Sequence, residues 1–233
     1  MRHAILLLLV MAGLLGGARP AAAAEAREWV VVVGGVSLWK WEKFKAQPHD
    51  NWWMNFVRAA RIRTEQIQSE HPGMPVTWLV YRGAYVSRSK QDGKDLVGFI
   101  DSVPEAFGVK LVYFDKTQQM LDYLNRGQSR DRVKIAGLEY FGHSNKACWL
   151  FDYSNHIDSA SKVWLHETEL DRIQKGIFAP KAYAKSWGCH TGESMSRKFR
   201  HATGVKMEGA VGKTEYQTHE LPRLSSEGGY WAR

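Results

Sequence analysis

Two side chains in this sequence have the type and the setting for nucleophilic chemistry. The chain holds only two cysteines, Cys148 and Cys189. Cys189 ends the run Lys185-Ser186-Trp187-Gly188-Cys189 and is followed by His190-Thr191-Gly192. Earlier, His143 ends the run Leu138-Glu139-Tyr140-Phe141-Gly142-His143 and is followed by Ser144. A cysteine thiolate can attack a carbonyl carbon, and an imidazole can take or return the proton that the leaving group needs. Backbone N–H groups at the same turn can hold the oxyanion that forms. A helical period follows Cys189, and a helix N-terminus or a nearby imidazolium favours the thiolate. A second arrangement also fits these residues. Cys148 and Cys189 can form a structural disulfide, with His143 an ordinary strand-end histidine and the protein a non-catalytic module that binds peptide or cell-wall polymer through exposed Trp and Tyr. A metal site built from His143, Cys148, Cys189 and His190 is the weakest option, because adjacent Cys and His make poor ligands for one ion and a Cys-x-x-Cys pair is missing.

These residues need elements to position them, and the hydrophobic pattern supplies candidates. Trp29–Val33 is a continuous apolar run ending in Gly34-Gly35, as in a strand buried on both faces. Further strands are expected at Val76–Tyr81, Val109–Phe114, Val133–Phe141, Ala182–Trp187 and Val205–Val211. Between them lie helical periods. Residues 51–70 place Trp53, Phe56, Val57, Ala60 and Ile67 on one face and Arg58, Arg61 and Arg63 off it, with Asp50 or Asn51 as cap and His71-Pro72-Gly73 as stop. Short helices are expected around Leu96, Phe99, Ile100 and Val103, over Thr117–Arg126 with Gly127 at its end, over residues 167–175 with Leu170 and Ile173 inward, and over Ser194–His201. Strands alternating with helices predict an α/β fold: a three-layer α/β/α sandwich around a mostly parallel sheet of about six strands. Such sheets place their chemistry beyond the carboxyl ends of the strands, where His143 and Cys189 both fall. Glu139 shares a strand face with His143 by period two and is a candidate support for it.

A strand ending in Gly-His, followed by a later strand ending in Gly-Cys, resembles the caspase-like cysteine peptidases: caspases, metacaspases, legumains, gingipains and the CHAT-type proteases. The turn Gly188-Cys189-His190-Thr191-Gly192 is most similar to the Cys-x-Thr-Gly turn of CHAT-type and related bacterial members. The likeness runs over roughly residues 29–216. It implies His143 as the catalytic histidine, Cys189 as the nucleophile, and the N–H of Cys189 as an oxyanion donor. The family usually has Gly after the histidine, where its N–H is the second donor; here Ser144 stands in that place. The resemblance also implies that Lys213, Thr214, Glu215 and Tyr216, after the last expected strand, shape the pocket for the residue before the cut. It implies a protein or peptide substrate and no cofactor or metal.

Composition bounds the rest. Arg2 and His3 precede the almost wholly apolar Ala4–Leu15, which is too short to span a membrane and suits a secretory signal. Residues 1–24 are therefore expected to be a signal peptide, cut after Ala24 or Ala26, leaving residues 25–233 as one domain in a secreted or periplasmic protein. No later run is long and apolar enough for an integral membrane segment. The net charge is +8. Its basic residues are scattered and form no long tract, so a nucleic-acid partner is not indicated.

Overall fold

The structure, a computed structural model, describes residues 25–39, 52–153 and 162–233. The expected signal peptide lies outside those residues, as do Asp50 and Asn51; the helix they were expected to cap begins at Asn55, with Met54 in the cap position and no side-chain cap. The first strand, β1 (Ala26–Val33), is followed by α1 (Asn55–Glu70), β2 (Val76–Tyr81), α2 (Arg82–Asp92), α3 (Leu96–Asp101), α4 (Val103–Phe107), β3 (Lys110–Phe114), α5 (Thr117–Arg126) and β4 (Val133–Phe141). Three short strands come next: β5 (His143–Ser144), β6 (Cys148–Leu150) and β7 (Trp164–His166). The chain then runs through two 3-10 turns into β8 (Phe178–Ser186), α6 (Met195–Thr203), β9 (Met207–Val211), β10 (Thr214–Glu215), β11 (Arg223–Leu224) and β12 (Tyr230–Ala232).

Seven strands form the central sheet in the order β12-β9-β8-β4-β1-β2-β3. All neighbouring pairs are parallel except β12 on β9. The valine run of β1 explains its central place, because its residues are buried on both faces and alternate between two cores. Val30 and Val32 pack with Leu121, Leu124, Phe199 and the aromatic residues Trp149 and Phe151. Trp29, Val31 and Val33 pack with Phe56, Val57, Ala60, Ile67, Tyr85 and Leu96. Helices α5 and α6, with the β5–β7 hairpin, thus cover one face, and α1 to α4 cover the other. The fold is the expected α/β/α sandwich. Full burial of one such large apolar side chain contributes about 1.5–3 kcal/mol, so these two layers dominate the stability.

The strand order reverses between β1 and β4. From β1 the chain moves outward to β2 and β3; it then returns to the other side of β1 and moves outward through β8 and β9. At such a reversal the flanking loops diverge and leave a crevice at the carboxyl ends of the strands.

Several local expectations are corrected. The segment 167–175 forms 3-10 turns, Glu167–Arg172 and Lys175–Ile177, rather than an α-helix. His166 and Glu169 cap each other's backbone across one turn, which starts the segment tightly, and its Ile173 N–H bonds back three residues to the Leu170 carbonyl. Leu170 and Ile173 do point inward. Strand β8 starts four residues earlier than expected, across a register shift against β4 that places Lys181 at φ 61°. Arg58 and Arg63, which lie off the apolar face of α1, are buried as well. Helix α6 begins at Met195, six residues beyond Cys189, so the thiol sits in a turn and not at a helix N-terminus. The helix-end argument for activating Cys189 therefore does not apply.

Candidate active site

The crevice is lined by the loops that leave β1, β4, β8 and β9. Strands β4 and β8 are paired in register, with Tyr140 beside Ser186, and the Trp187 N–H donates to the Tyr140 carbonyl at 2.9 Å. Just beyond the paired strand ends Gly188 lies against Gly142 and Ser144, so the loops that carry His143 and Cys189 leave side by side. The two exits are held close. A Cβ on Gly188 would lie 2.1 Å from Ser144 Oγ and 2.9 Å from the Gly142 carbonyl, so only glycine fits there. The Ser144 hydroxyl donates to the Cys189 carbonyl at 2.7 Å and locks the two loops together.

Cys189 is part-exposed, and its sulfur faces Thr214. The Thr214 N–H donates to Sγ at 3.4 Å, and the Thr214 hydroxyl lies 3.6 Å from it. The sulfur also lies 3.7 Å from the Thr214 carbonyl, so Thr214 meets it through backbone and side chain alike. The Thr214 hydroxyl also reaches the Trp187 carbonyl at 2.9 Å, which fixes its rotamer. The residue after the cysteine, His190, has φ 62°, a left-handed conformation that few non-glycine residues adopt. Its N–H is held by the Gly212 carbonyl and its Nδ1 by Glu193, so the turn is tied on both sides.

His143 is held by a different set. Its Nε2 shares a hydrogen bond of 3.1 Å with the hydroxyl of Ser37, which is fully buried in the segment after β1. Its ring stacks on Tyr153 at 4.5 Å and meets the edge of Phe56 at 5.0 Å. Phe56 in turn meets Tyr216 edge-to-face at 4.7 Å, and the Gly142 N–H donates to the Tyr216 hydroxyl at 2.9 Å. The imidazole is thus held by residues from three separate segments, with Tyr216 backing one of them.

Of the four residues expected to shape a pocket, Thr214 and Tyr216 turn to the crevice, whereas Lys213 and Glu215 are exposed. The cause is local: Thr214–Glu215 pairs as a strand with Arg223–Leu224, so alternate side chains face opposite ways. Lys213 is tied to Ser226 through its backbone N–H, and Glu215 lies 3.7 Å from Arg223.

Both cysteines are free thiols. Cys148 opens β6, opposite His166 at the far end from the β6–β7 connection, and lines an open cavity of about 440 Å³ with His190 and Glu193. Burial, with Glu167 and Glu169 nearby, pushes its thiol up to about 11. Among the described residues, no group of three or more His, Cys, Asp or Glu side chains is placed to hold a metal ion. Glu139 lies on the same face as His143 but one layer deeper. Its carboxylate accepts from Trp29 (3.1 Å), Arg63 (2.8 Å) and Trp187 (2.7 Å). It braces β4 against β1 and α1 rather than orienting the imidazole. Desolvation pushes the Glu139 carboxyl up, and Arg63 and the two indoles pull against that.

Ser37 was not legible as a site residue, because it follows a glycine pair that reads only as a turn. No protein-family model, no curated protein and no solved structure gives a significant match to this chain. Among the described residues, no helix is long and apolar enough to cross a membrane.

Proposed function

We propose that this protein is an exported, caspase-like cysteine endopeptidase with Cys189 as nucleophile and His143 as its acid–base partner. The observation that supports it most is positional. His143 and Cys189 leave adjacent parallel strands side by side, at the reversal of strand order, with their loops locked by the Ser144–Cys189 bond. Imidazole takes the thiol proton, sulfur attacks the scissile carbonyl carbon, and the carbonyl electrons move to oxygen. The N–H of Cys189, with that of Ser144, binds this oxyanion. Collapse breaks the C–N bond, and the amine leaves with a proton from imidazolium. Water then attacks the thioester, imidazole takes its proton, and the acid product and free thiol are released.

The test combines labelling and turnover. A peptide bearing an electrophilic trap should modify Cys189 and leave Cys148 untouched. Cys189→Ala and His143→Ala should each lower peptide hydrolysis by about three orders of magnitude or more, and the double variant should be no worse than either single, since the two act as one unit. Both single variants should stay folded by circular dichroism. If no member of a broad peptide library is cleaved and Cys189 reacts no faster than a denatured thiol, the peptidase reading fails and the binding-module reading replaces it.

A further inference from the structure

Away from the crevice, one face of the molecule gathers charge that the fold itself does not use. Helix α6 turns Met195, Ser196, Phe199 and Thr203 inward, onto β9 and the 3-10 turn Glu167–Arg172. The helical spacing leaves Arg197, Lys198, Arg200 and His201 on the outer side, and all four are exposed. Lys206, where the chain enters β9, is exposed as well. From Met195 to Lys206 the sequence holds four Lys and Arg residues and no Asp or Glu, so this stretch alone carries +4 of the net +8. Among the described residues, the side chains of Arg197, Lys198, Arg200 and Lys206 make no ion pair and no hydrogen bond. Arg126 and Arg223, by contrast, each meet a carboxylate, of Asp122 and Glu215. The acids on either side of α6 are committed elsewhere. Glu193 holds His190 and the Gly212 N–H, and Glu208 holds Lys185 and Arg233. On the 3-10 turn beside the helix, Glu169 pairs with Arg172, and Glu167 and Asp171 pair with none of the four cations.

The shape of this face selects its partner. The outer side of a helix is convex and offers long, mobile side chains in place of a fixed pocket. No aromatic ring stands on it, because Phe199 is buried. A bound peptide draws on fixed hydrogen-bond donors in a groove, and a nucleic-acid strand on exposed rings that stack with its bases. A layer of anionic headgroups needs neither, since its lipids move to meet the cations. Each Lys or Arg held near such a layer raises partitioning about fivefold, so four together raise it by roughly several hundredfold.

We propose that the outer face of α6, with Arg197, Lys198, Arg200 and Lys206, docks the protein on an anionic phospholipid surface. The apolar side of the helix is already taken by the core, so the contact is made through headgroups alone and is peripheral and reversible. Helix α6 starts six residues after Cys189 and runs back along one layer of the sandwich to the start of β9. A molecule lying on that layer keeps the crevice at the strand ends open along the bilayer rather than into it.

Sedimentation with lipid vesicles tests this and needs no turnover, so its outcome is independent of the peptidase reading. The probes are phosphatidylcholine vesicles with and without about 30% phosphatidylglycerol, at about 50 mM salt. The wild type should partition about 100-fold more strongly onto the anionic vesicles, and about 0.5 M salt should release it. Arg197→Gln, Lys198→Gln, Arg200→Gln and Lys206→Gln together should lower binding to the level seen on neutral vesicles. That variant should melt within a few degrees of wild type, because exposed substitutions cost little. Arg197→Lys with Arg200→Lys keeps the charge and should bind within a few-fold of wild type. A matched variant loses four exposed cations elsewhere, through Lys90→Gln, Lys94→Gln, Lys162→Gln and Lys175→Gln. It should still bind at least about tenfold more tightly than the α6 variant. Equal losses from the two four-site variants would assign the binding to net charge and overturn the proposal. A wild type that binds both kinds of vesicle alike overturns it too. So does one that ignores the anionic vesicles yet holds heparin or a DNA duplex through the same four residues.

Discussion

Ser37 shows how much of a site can rest on one unobtrusive hydroxyl. It is fully buried, lies beyond the end of β1, and reaches His143 Nε2 at 3.1 Å. A hydroxyl can donate to or accept from a ring nitrogen, so this contact holds the orientation of the ring in either tautomer. Ser37 is a positioning residue in the proposed reaction. Ser37→Ala should lower kcat by about 10- to 100-fold with KM little changed, because the imidazole loses a bonded partner that holds its orientation, and Ser37→Thr should restore part of it. A purely structural role predicts a lower melting temperature with kcat unmoved. His143 and Cys189 were legible in the sequence because strand ends can be read from apolar runs and glycines. Ser37 was not, since its tie to His143 spans more than a hundred residues and leaves no periodic trace. The burial of Arg58 was not legible either, for a related reason. Helical spacing tells which residues share a face, but not that Trp52 and the 217 segment cover the opposite one.

At the scale of elements, the strands were easier to foresee than the turns that aim the catalytic groups. The valine run of β1 and the alternation along β4 follow from burial alone. The start of α6 does not: residues 189–194 form turns stitched by local bonds, such as Glu193 N–H to the His190 carbonyl, which hydrophobic period cannot show. Helix α2 was also missed, because its exposed face is polar and only Ala84, Tyr85 and Arg88 are buried. The element most in need of support is β4, which carries His143. Glu139 anchors its centre to β1 through Trp29, to α1 through Arg63, and to the end of β8 through Trp187. Arg63→Ala would leave that carboxylate buried without its cation and should cost about 3–5 kcal/mol in chemical denaturation. Replacing both partners together, as Arg63→Met with Glu139→Leu, should cost clearly less, because no charge is then stranded. Equal losses from the single and double changes would show that packing rather than charge holds β4.

Across the whole molecule, the two halves of the sheet close differently. β3 ends one side as a parallel strand, while β12 returns antiparallel on β9 at the other. The parallel sheet followed from alternating strand and helix signals; the seventh strand did not, because Tyr230–Ala232 is too short and too exposed to show a period. Beneath that edge lies a charged cluster. Lys185 of β8 meets Glu208 of β9 at 2.6 Å, Arg233 bonds the same carboxylate, and the Lys185 ammonium lies 3.8 Å from the Trp187 ring and 3.9 Å from the Trp231 ring. Burial alone would raise the Glu208 carboxyl, yet the hydrogen bonds and charges of Lys185 and Arg233 outweigh it and hold the group below the usual carboxylate range. A carboxyl lowered in the folded state contributes stability that is present above its unfolded value and is lost as the pH falls through its folded value. The edge carrying β9 and β12 should therefore loosen first on acidification, below the ordinary titration range of glutamate. Hydrogen exchange at Met207–Val211 and Tyr230–Ala232 should accelerate there, after allowance for the intrinsic pH dependence of exchange, while β1 and β2 stay protected. Glu208→Gln should flatten this acid response at some loss of stability near neutral pH, since the Lys185 ammonium then keeps only a neutral partner. If the wild-type edge strands and β1 lose protection together across that range, the cluster does not govern the edge, and acid sensitivity lies elsewhere in the molecule.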